Sequence, residues 1–277
     1  MPAAANAPVG IFDSGLGGLS VLRHVRMQLP HETLLYVADS AFAPYGGRPE
    51  AEVVARTLAI AAFLVAQGMK ALVIACNTAT AAAITAVRER YPELPVVGVE
   101  PGLKPAAMCS VSRVVGVLAT ERTIASARFQ ALEAQLSAAT GVRFLSQACS
   151  GLADQVEKGE LRSAATAALI ARYVEPLIRE GADTLVLGCT HYPFLSPLIE
   201  AAARRAGASR VKLIDTGEAV ARQLQRVLTE RALIATSPTA ATPITGMTTG
   251  SARTLAVACT KLLGMTVPVA AISQTPY

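Results

Sequence analysis

An α/β fold of two similar halves, each built on a mainly parallel sheet and facing the other across a cleft that holds the active site, is what these 277 residues predict. Three observations lead there. Short apolar runs alternate with amphipathic stretches from end to end, the pattern of strands covered on both faces by helices. A weak internal repeat aligns Val9-Gly10-Ile11-Phe12-Asp13-Ser14 with Val115-Gly116-Val117-Leu118-Ala119-Thr120, from position 9 to position 115. Two cysteines, Cys76 and Cys189, stand in near-matching settings, each after a short apolar run and before a helical stretch.

Taken in order, strands are expected over 9–12, 33–38, 71–75 and 96–99, then over 113–118, 142–146, 184–187 and 211–214. Each is a short apolar run bounded by polar or turn-forming residues. Helices are expected over 17–29, 49–67 and 80–90, then over 123–139, 160–180, 197–206 and 217–228. Pro44-Tyr45-Gly46-Gly47, in the polar loop after the strand that ends near Asp39, reads by itself as a turn. The longest apolar stretch, 58–65 followed by 71–75, is interrupted by Gln67-Gly68-Met69-Lys70 and so reads as helix, turn and buried strand instead of a membrane span. Residues 233–249, rich in Ser, Thr and Pro, read as a loop with one short strand. Residues 253–263 read as a last helix, capped by Ser251 and ended by Gly264.

Composition excludes several classes. Hydrophobic residues make up 52% and charged residues 16%, which fits an alanine-rich α/β enzyme and not a disordered chain. The first eight residues lack the basic and apolar regions of a signal peptide, so a cytoplasmic protein is expected. Five scattered cysteines without a CxxC pair, and three histidines, support neither a disulfide framework nor a zinc site. The net charge of +5 is spread thinly, so neither nucleic acid nor a membrane is an expected partner; a homodimer is left open.

The chemistry concentrates at strand ends. Ser14, Cys76, Thr120 and Cys189 would all lie beyond the carboxyl ends of strands, where open α/β sheets bind ligands. Asp13-Ser14-Gly15-Leu16-Gly17-Gly18 follows a strand and opens a helix, so its N–H groups suit an anion or merely make a tight turn. It is not a GxGxxG dinucleotide fingerprint, and Asp13 adds a carboxylate at the cleft. Cys76 and Cys189 each meet a helix N-terminus, which favours thiolate, and their polar neighbours Asn77, Thr78, Thr190 and His191 make little sense as packing. Cys109, Cys149 and Cys259 read as inert core. His191 either exchanges a proton with the Cys189 thiol or caps a helix. Two activated thiols in two half-sites suit a two-base reaction on carbon. No lysine lies in a pyridoxal-binding motif, and no cofactor or metal is expected.

These residues resemble the glutamate racemases of the aspartate/glutamate racemase superfamily. Residues 10–19, Asp39 with Pro44-Tyr45-Gly46, residues 75–80, Thr120 with Thr123, and residues 187–193 are similar to that family's motifs in the family's order. The resemblance implies a cofactor-independent isomerase that interconverts L- and D-glutamate and supplies D-glutamate for peptidoglycan. It implies that Cys76 and Cys189 are the acid/base thiols, Cys76 serving D-glutamate and Cys189 serving L-glutamate. Asp13 would assist the first thiol, and His191 and Glu157 the second. Ser14, Pro44, Tyr45, Gly46, Asn77, Thr78, Thr120, Thr123 and Thr190 would hold the substrate. It implies two pseudo-symmetric domains, 1–98 with 212–277 and 99–211. The chain departs from the pattern at Ala148-Cys149-Ser150, where many members have Ala-Cys-Pro. An aspartate racemase or another two-cysteine member of the superfamily, a dithiol redox protein and a small-anion binding module are the rival readings. The short stretch before the first strand argues against activation by a cell-wall precursor.

Overall fold

The computed structural model describes residues 4–235 and 243–273, so part of the expected 233–249 loop, at 236–242, lies outside the described residues. The chain forms two compact units, one from the residues up to Val99 and from Gly217 on, the other from Glu100 to Thr216. The first unit opens with β1 (Val9–Asp13), α1 (Leu19–Gln28), β2 (Leu34–Ala38), α2 (Glu50–Ala66), β3 (Ala71–Ile74), α3 (Asn77–Arg90) and β4 (Val96–Gly98). The second contains α4 (Leu103–Cys109), β5 (Val114–Ala119), α5 (Glu121–Ala125), α6 (Ala127–Thr140), β6 (Arg143–Ala148), α7 (Leu152–Glu157), α8 (Ala164–Arg179), β7 (Thr184–Gly188), α9 (Ser196–Arg205) and β8 (Lys212–Ile214). The chain then returns to the first unit with α10 (Gly217–Glu230), β9 (Ile244–Thr248), α11 (Ala252–Ala258) and β10 (Val269–Ala271).

The fold is α/β with two sheets whose described pairings are all parallel. Their orders are β10-β9-β2-β1-β3-β4 and β6-β5-β7-β8. Without β9 and β10 the two orders are the same, with β1 to β4 corresponding in turn to β5 to β8. The repeat read in the sequence is therefore a repeat of topology.

Burial explains why these runs are strands. In the second unit Leu118, Leu185 and Leu187 pack against α8 and α9 through Ile170, Val174, Leu177, Ile199 and Ala202. Val115, Val117 and Val186 point to the other face, onto Leu103 and Ala106 of α4 and Phe129 of α6. The alternation of period two sends successive apolar side chains to opposite layers. In the first unit Phe12, Leu72 and Ile74 pack on Val53, Ile60 and Leu64 of α2 and on Ala79, Ile84 and Val87 of α3. Val220, Ala221, Leu224 and Leu228 give α10 a buried stripe at helical spacing, and its neighbour is α1.

The elements differ from expectation where local hydrogen bonds intervene. The expected 123–139 helix is two helices, because Thr120 Oγ1 accepts from the Thr123 N–H to cap α5 and Ser126 Oγ accepts from the Phe129 N–H to cap α6. The 160–180 helix starts only at Ala164, where Ser163 is the cap. The last helix passes into a wider turn over Cys259–Leu263, and Gly264 ends it at φ 68°. Helices α4 and α7 and strand β10 had no expectation. The second unit extends to Thr216, beyond the expected 211, because β8 pairs with β7 from Thr184 opposite Lys212. Cys149 and Cys259 are buried as expected, but Cys109 is half-buried with the Lys212 ammonium 3.0 Å from its sulfur. Among the described residues no helix is long and apolar enough to cross a membrane.

Lys70 and Glu32 form a buried ion pair. Lys70 Nζ lies 2.5 Å from Glu32 Oε2, with both side chains essentially without exposure. Glu32 Oε1 also accepts from the Ala235 N–H at 2.8 Å, and Lys70 donates to the Ala5 carbonyl. The pair thus joins the entry to β3, the approach to β2 and the chain after α10. Lys70→Met should lower the stability of the first unit by about 3–5 kcal/mol in urea denaturation, since a lone buried carboxylate remains. Adding Glu32→Leu to that variant should recover most of the loss.

Candidate active site

In the first unit the carboxyl ends of β2, β1 and β3 lie side by side, and each delivers polar residues. Asp13 ends β1 fully buried, and its Oδ1 accepts from the Gly15 N–H at 2.8 Å and the Ser14 hydroxyl at 3.5 Å. The start of α1 lies tight against it. A Cβ at Gly18 would come within 2.5 Å of the Asp13 Cβ and 2.9 Å of Tyr36 Oη, so this glycine is required by close approach. Tyr36 Oη in turn donates to the Gly15 carbonyl at 2.6 Å. The glycine-rich segment is thus a fixed turn that presents Asp13 and Ser14.

Cys76 lies two residues beyond β3 and caps α3. Its sulfur accepts from the Ala79 N–H at 3.4 Å, so the positive end of the helix dipole meets it, and Ser14 Oγ is 3.7 Å away. Asn77 and Thr78 follow, both buried. Asn77 Nδ2 has no hydrogen-bond partner among the described residues, which leaves a buried donor at the helix start.

After β2 comes Asp39, fully buried, and then two short helical turns around Pro44, Tyr45 and Gly46. Tyr45 is buried in the same cluster as Phe12 and Cys76, and its hydroxyl donates to Asp39 Oδ2 at 2.6 Å. Burial, and then the Asp39 charge, push the Tyr45 hydroxyl well above the usual phenol range, so it keeps its proton. Asp39 also receives Arg56 and Thr249. The sequence pattern singles out neither. For Arg56 a signal exists: with Val53 and Ile60 it shares the helix face that enters the core, so a charge there needs a partner.

In the second unit Cys189 follows β7 directly. Its sulfur lies 3.5 Å from His191 Nδ1, while His191 Nε2 lies 2.7 Å from Glu157 Oε1. Burial works against an imidazolium here, but the Cys189 sulfur and the Glu157 carboxylate outweigh it and hold His191 well above its ordinary range. A charged ring donates from both nitrogens, one toward the sulfur and one to the carboxylate. Glu157 reaches this position because α7 ends there. The segment Ala148-Cys149-Ser150 is anchored before it: Cys149 N–H donates to the Ala119 carbonyl at 2.9 Å, and Tyr173 Oη to the Ser150 carbonyl at 2.8 Å. Gly151, at φ 78°, then opens α7. Burial raises the Cys149 thiol, which fits an inert role. Thr120 follows β5 as Ser14 follows β1, with its Oγ1 2.9 Å from that of Thr123. Thr190 is buried beside Cys189.

Each sequence-predicted site residue therefore stands at a strand's carboxyl end or on the segment that follows it, within its own unit. Among the described residues no group of three or more His, Cys, Asp or Glu side chains is placed to hold a metal ion.

Comparison with known proteins identifies the family. The chain matches the Asp/Glu/Hydantoin racemase family over residues 17–224. It is 56% identical over 238 residues to the glutamate racemase of Ectopseudomonas mendocina (strain ymp), covering 86% of this chain and 88% of that one. Solved structures of similar shape include glutamate racemase isoform RacE1 from Bacillus anthracis, with a TM-score of 0.86, 31% identity and coverage of 97% and 98% of the two chains. Those of Francisella tularensis in complex with D-glutamate (TM-score 0.85, 27% identity, 99% and 100% covered) and of Escherichia coli in complex with L-glutamate and the activator UDP-MurNAc-ala (0.82, 28%, 96% and 98%) are further examples. Likeness of this degree over most of the chain means that the protein belongs to the Asp/Glu/Hydantoin racemase family, among its glutamate racemases, and is an isomerase.

Proposed function

We propose that the protein interconverts L- and D-glutamate without a cofactor, with Cys76 and Cys189 as the two acid/base groups. The observation that carries this reading is the pair of thiols at corresponding strand ends, β3 and β7, each beside its own polar partners. The relatives' complexes with D- and L-glutamate support the choice of substrate.

An α-proton of an amino acid is far less acidic than a thiol, so the barrier lies in the carbanion. One thiolate takes the α-proton, and the C–H electron pair stays on the carbon and spreads into the α-carboxylate. The opposite thiol then gives its proton to the other face. After one turnover the two sulfurs have exchanged protonation states, which readies the enzyme for the reverse direction. In this reading Cys76 serves D-glutamate with Asp13 beside it, and Cys189 serves L-glutamate with His191 and Glu157. Ser14, Pro44, Tyr45, Gly46, Asn77 and Thr78 hold the substrate from the first unit, and Thr120, Thr123 and Thr190 from the second. The unpaired Asn77 amide is a donor ready for a carboxylate oxygen. Fixing the side-chain carboxylate supplies binding energy that orients the α-carbon between its two proton carriers. The product would be D-glutamate for peptidoglycan, made in the cytoplasm.

In D2O, purified protein given L-glutamate alone should form D-glutamate carrying α-deuterium, followed by chiral chromatography and proton NMR. A rate that a chelator abolishes and added metal restores would overturn the reading, and faster turnover of aspartate would move it to a neighbouring substrate. Cys76→Ala and Cys189→Ala should each lose racemisation while keeping at most slow exchange on one enantiomer, D-glutamate in Cys189→Ala and L-glutamate in Cys76→Ala. Near wild-type racemisation by either variant would refute two-thiol catalysis.

Glu157→Gln removes one of the groups that hold a proton on His191. The His191 pKa then falls, so the imidazolium is lost at a lower pH. The alkaline limit of kcat should move down by about 1–3 pH units, measured as pH–rate profiles of both proteins; an unmoved limit would count against the relay.

A further inference from the structure

We propose that Arg56 is a positioning residue, which holds the Pro44-Tyr45-Gly46 segment in its substrate-binding form by clamping the buried carboxylate of Asp39. The inference rests on the reading that this segment binds substrate.

Asp39 is fully buried, and its two oxygens are each met by two donors. Oδ1 receives the Arg56 terminal nitrogen at 2.7 Å and the Thr249 hydroxyl at 2.8 Å; Oδ2 receives Arg56 Nε at 2.9 Å and the Tyr45 hydroxyl at 2.6 Å. That saturates the acceptor capacity of a carboxylate, and the Arg56 contact is the bidentate fork that only guanidinium provides. The clamp continues along the segment. Arg56 Cζ lies 3.8 Å from the centre of the Phe42 ring, the Ala41 N–H donates to Thr249 Oγ1 at 3.1 Å, and Arg48 donates to the Phe42 carbonyl while pairing with Glu52. Asp39 is itself tied to the catalytic strand end, since its N–H donates to the Asp13 carbonyl at 3.0 Å. One carboxylate thus fixes Tyr45 relative to Asp13, and Arg56 is the only cation hydrogen-bonded to it among the described residues. Without the fork, Asp39 would be a buried charge with two neutral donors. It would turn toward water, and Tyr45 would lose its fixed anchor.

The clamp reaches Asp13 through the Asp39 N–H and the Asp13 backbone carbonyl, not through the Asp13 carboxylate, so its loss should weaken binding and spare the chemical step. In Arg56→Lys, KM for both glutamate enantiomers should rise roughly tenfold, the effect of one lost charge-assisted hydrogen bond, with kcat within about threefold of wild type. Thr249→Val, which removes a donor from the segment after β9 instead, should raise KM by less and serves if Arg56→Lys folds poorly. Hydrogen–deuterium exchange should quicken at amides 40–48 and stay unchanged in β1 and β3. A purely structural role would instead lower Tm and kcat together, speed exchange across the whole unit and leave KM where it was; that result overturns the inference. Should the wild type fail to racemise glutamate, the functional reading fails, and exchange alone decides the clamp: quickening confined to 40–48 supports it and its absence refutes it.

Discussion

A parallel sheet covered on both faces leaves almost nowhere for polar chemistry, and this constraint organises the protein. Within β1, β3, β5 and β7 nearly every side chain is needed for packing, with Phe12, Ile74, Leu118 and Leu187 all buried. The first positions free to carry a carboxylate, hydroxyl or thiol come where a strand runs out and the chain turns into a helix. There the turn supplies unpaired N–H groups and a helix its positive end. Asp13, Asp39, Cys76, Thr120 and Cys189 occupy such positions, Asp13 as the last residue of its strand and the others just beyond theirs, and each of these strands lies in the inner part of a sheet.

The two units repeat one topology but treat their thiols differently. Cys76 is its helix's own cap and has a hydroxyl beside it, with Asp13 one residue away in the chain from that hydroxyl. Cys189 has a histidine backed by a carboxylate, a pairing that carries charge in either protonation state. The first arrangement relies on fixed dipoles, the second on a titrating side chain. Sensitivity to pH and to ionic strength should therefore differ between the two half-reactions, because fixed N–H groups do not titrate and the His191 pair does.

Much of this is legible in the order of the amino acids. The alternation of apolar runs with amphipathic ones marks all eight strands that pair in the repeated part of the two sheets, because burial on both faces leaves a plain trace in residue type. The thiols stand out because polar residues follow them where packing would want apolar ones. Less is visible where short-range capping overrides periodicity, as at Ser126 and Ser163, or where a helix of six or seven residues has too few turns to show a stripe, as in α4 and α7. Partners distant along the chain are hidden as well. Asp39 and Thr249 are 210 positions apart and meet only because β9 pairs with β2.

The return of the chain to its first sheet has a consequence for biosynthesis. The second unit is continuous from Glu100 to Thr216, so all its strands have left the ribosome while the first sheet still lacks β9 and β10. Until they arrive, β2 is an edge with unpaired backbone groups, and Asp39 lacks the Thr249 hydroxyl. Vectorial synthesis then favours a nascent chain in which the later unit matures ahead of the earlier one, with β2 the surface that a chaperone would have most reason to cover.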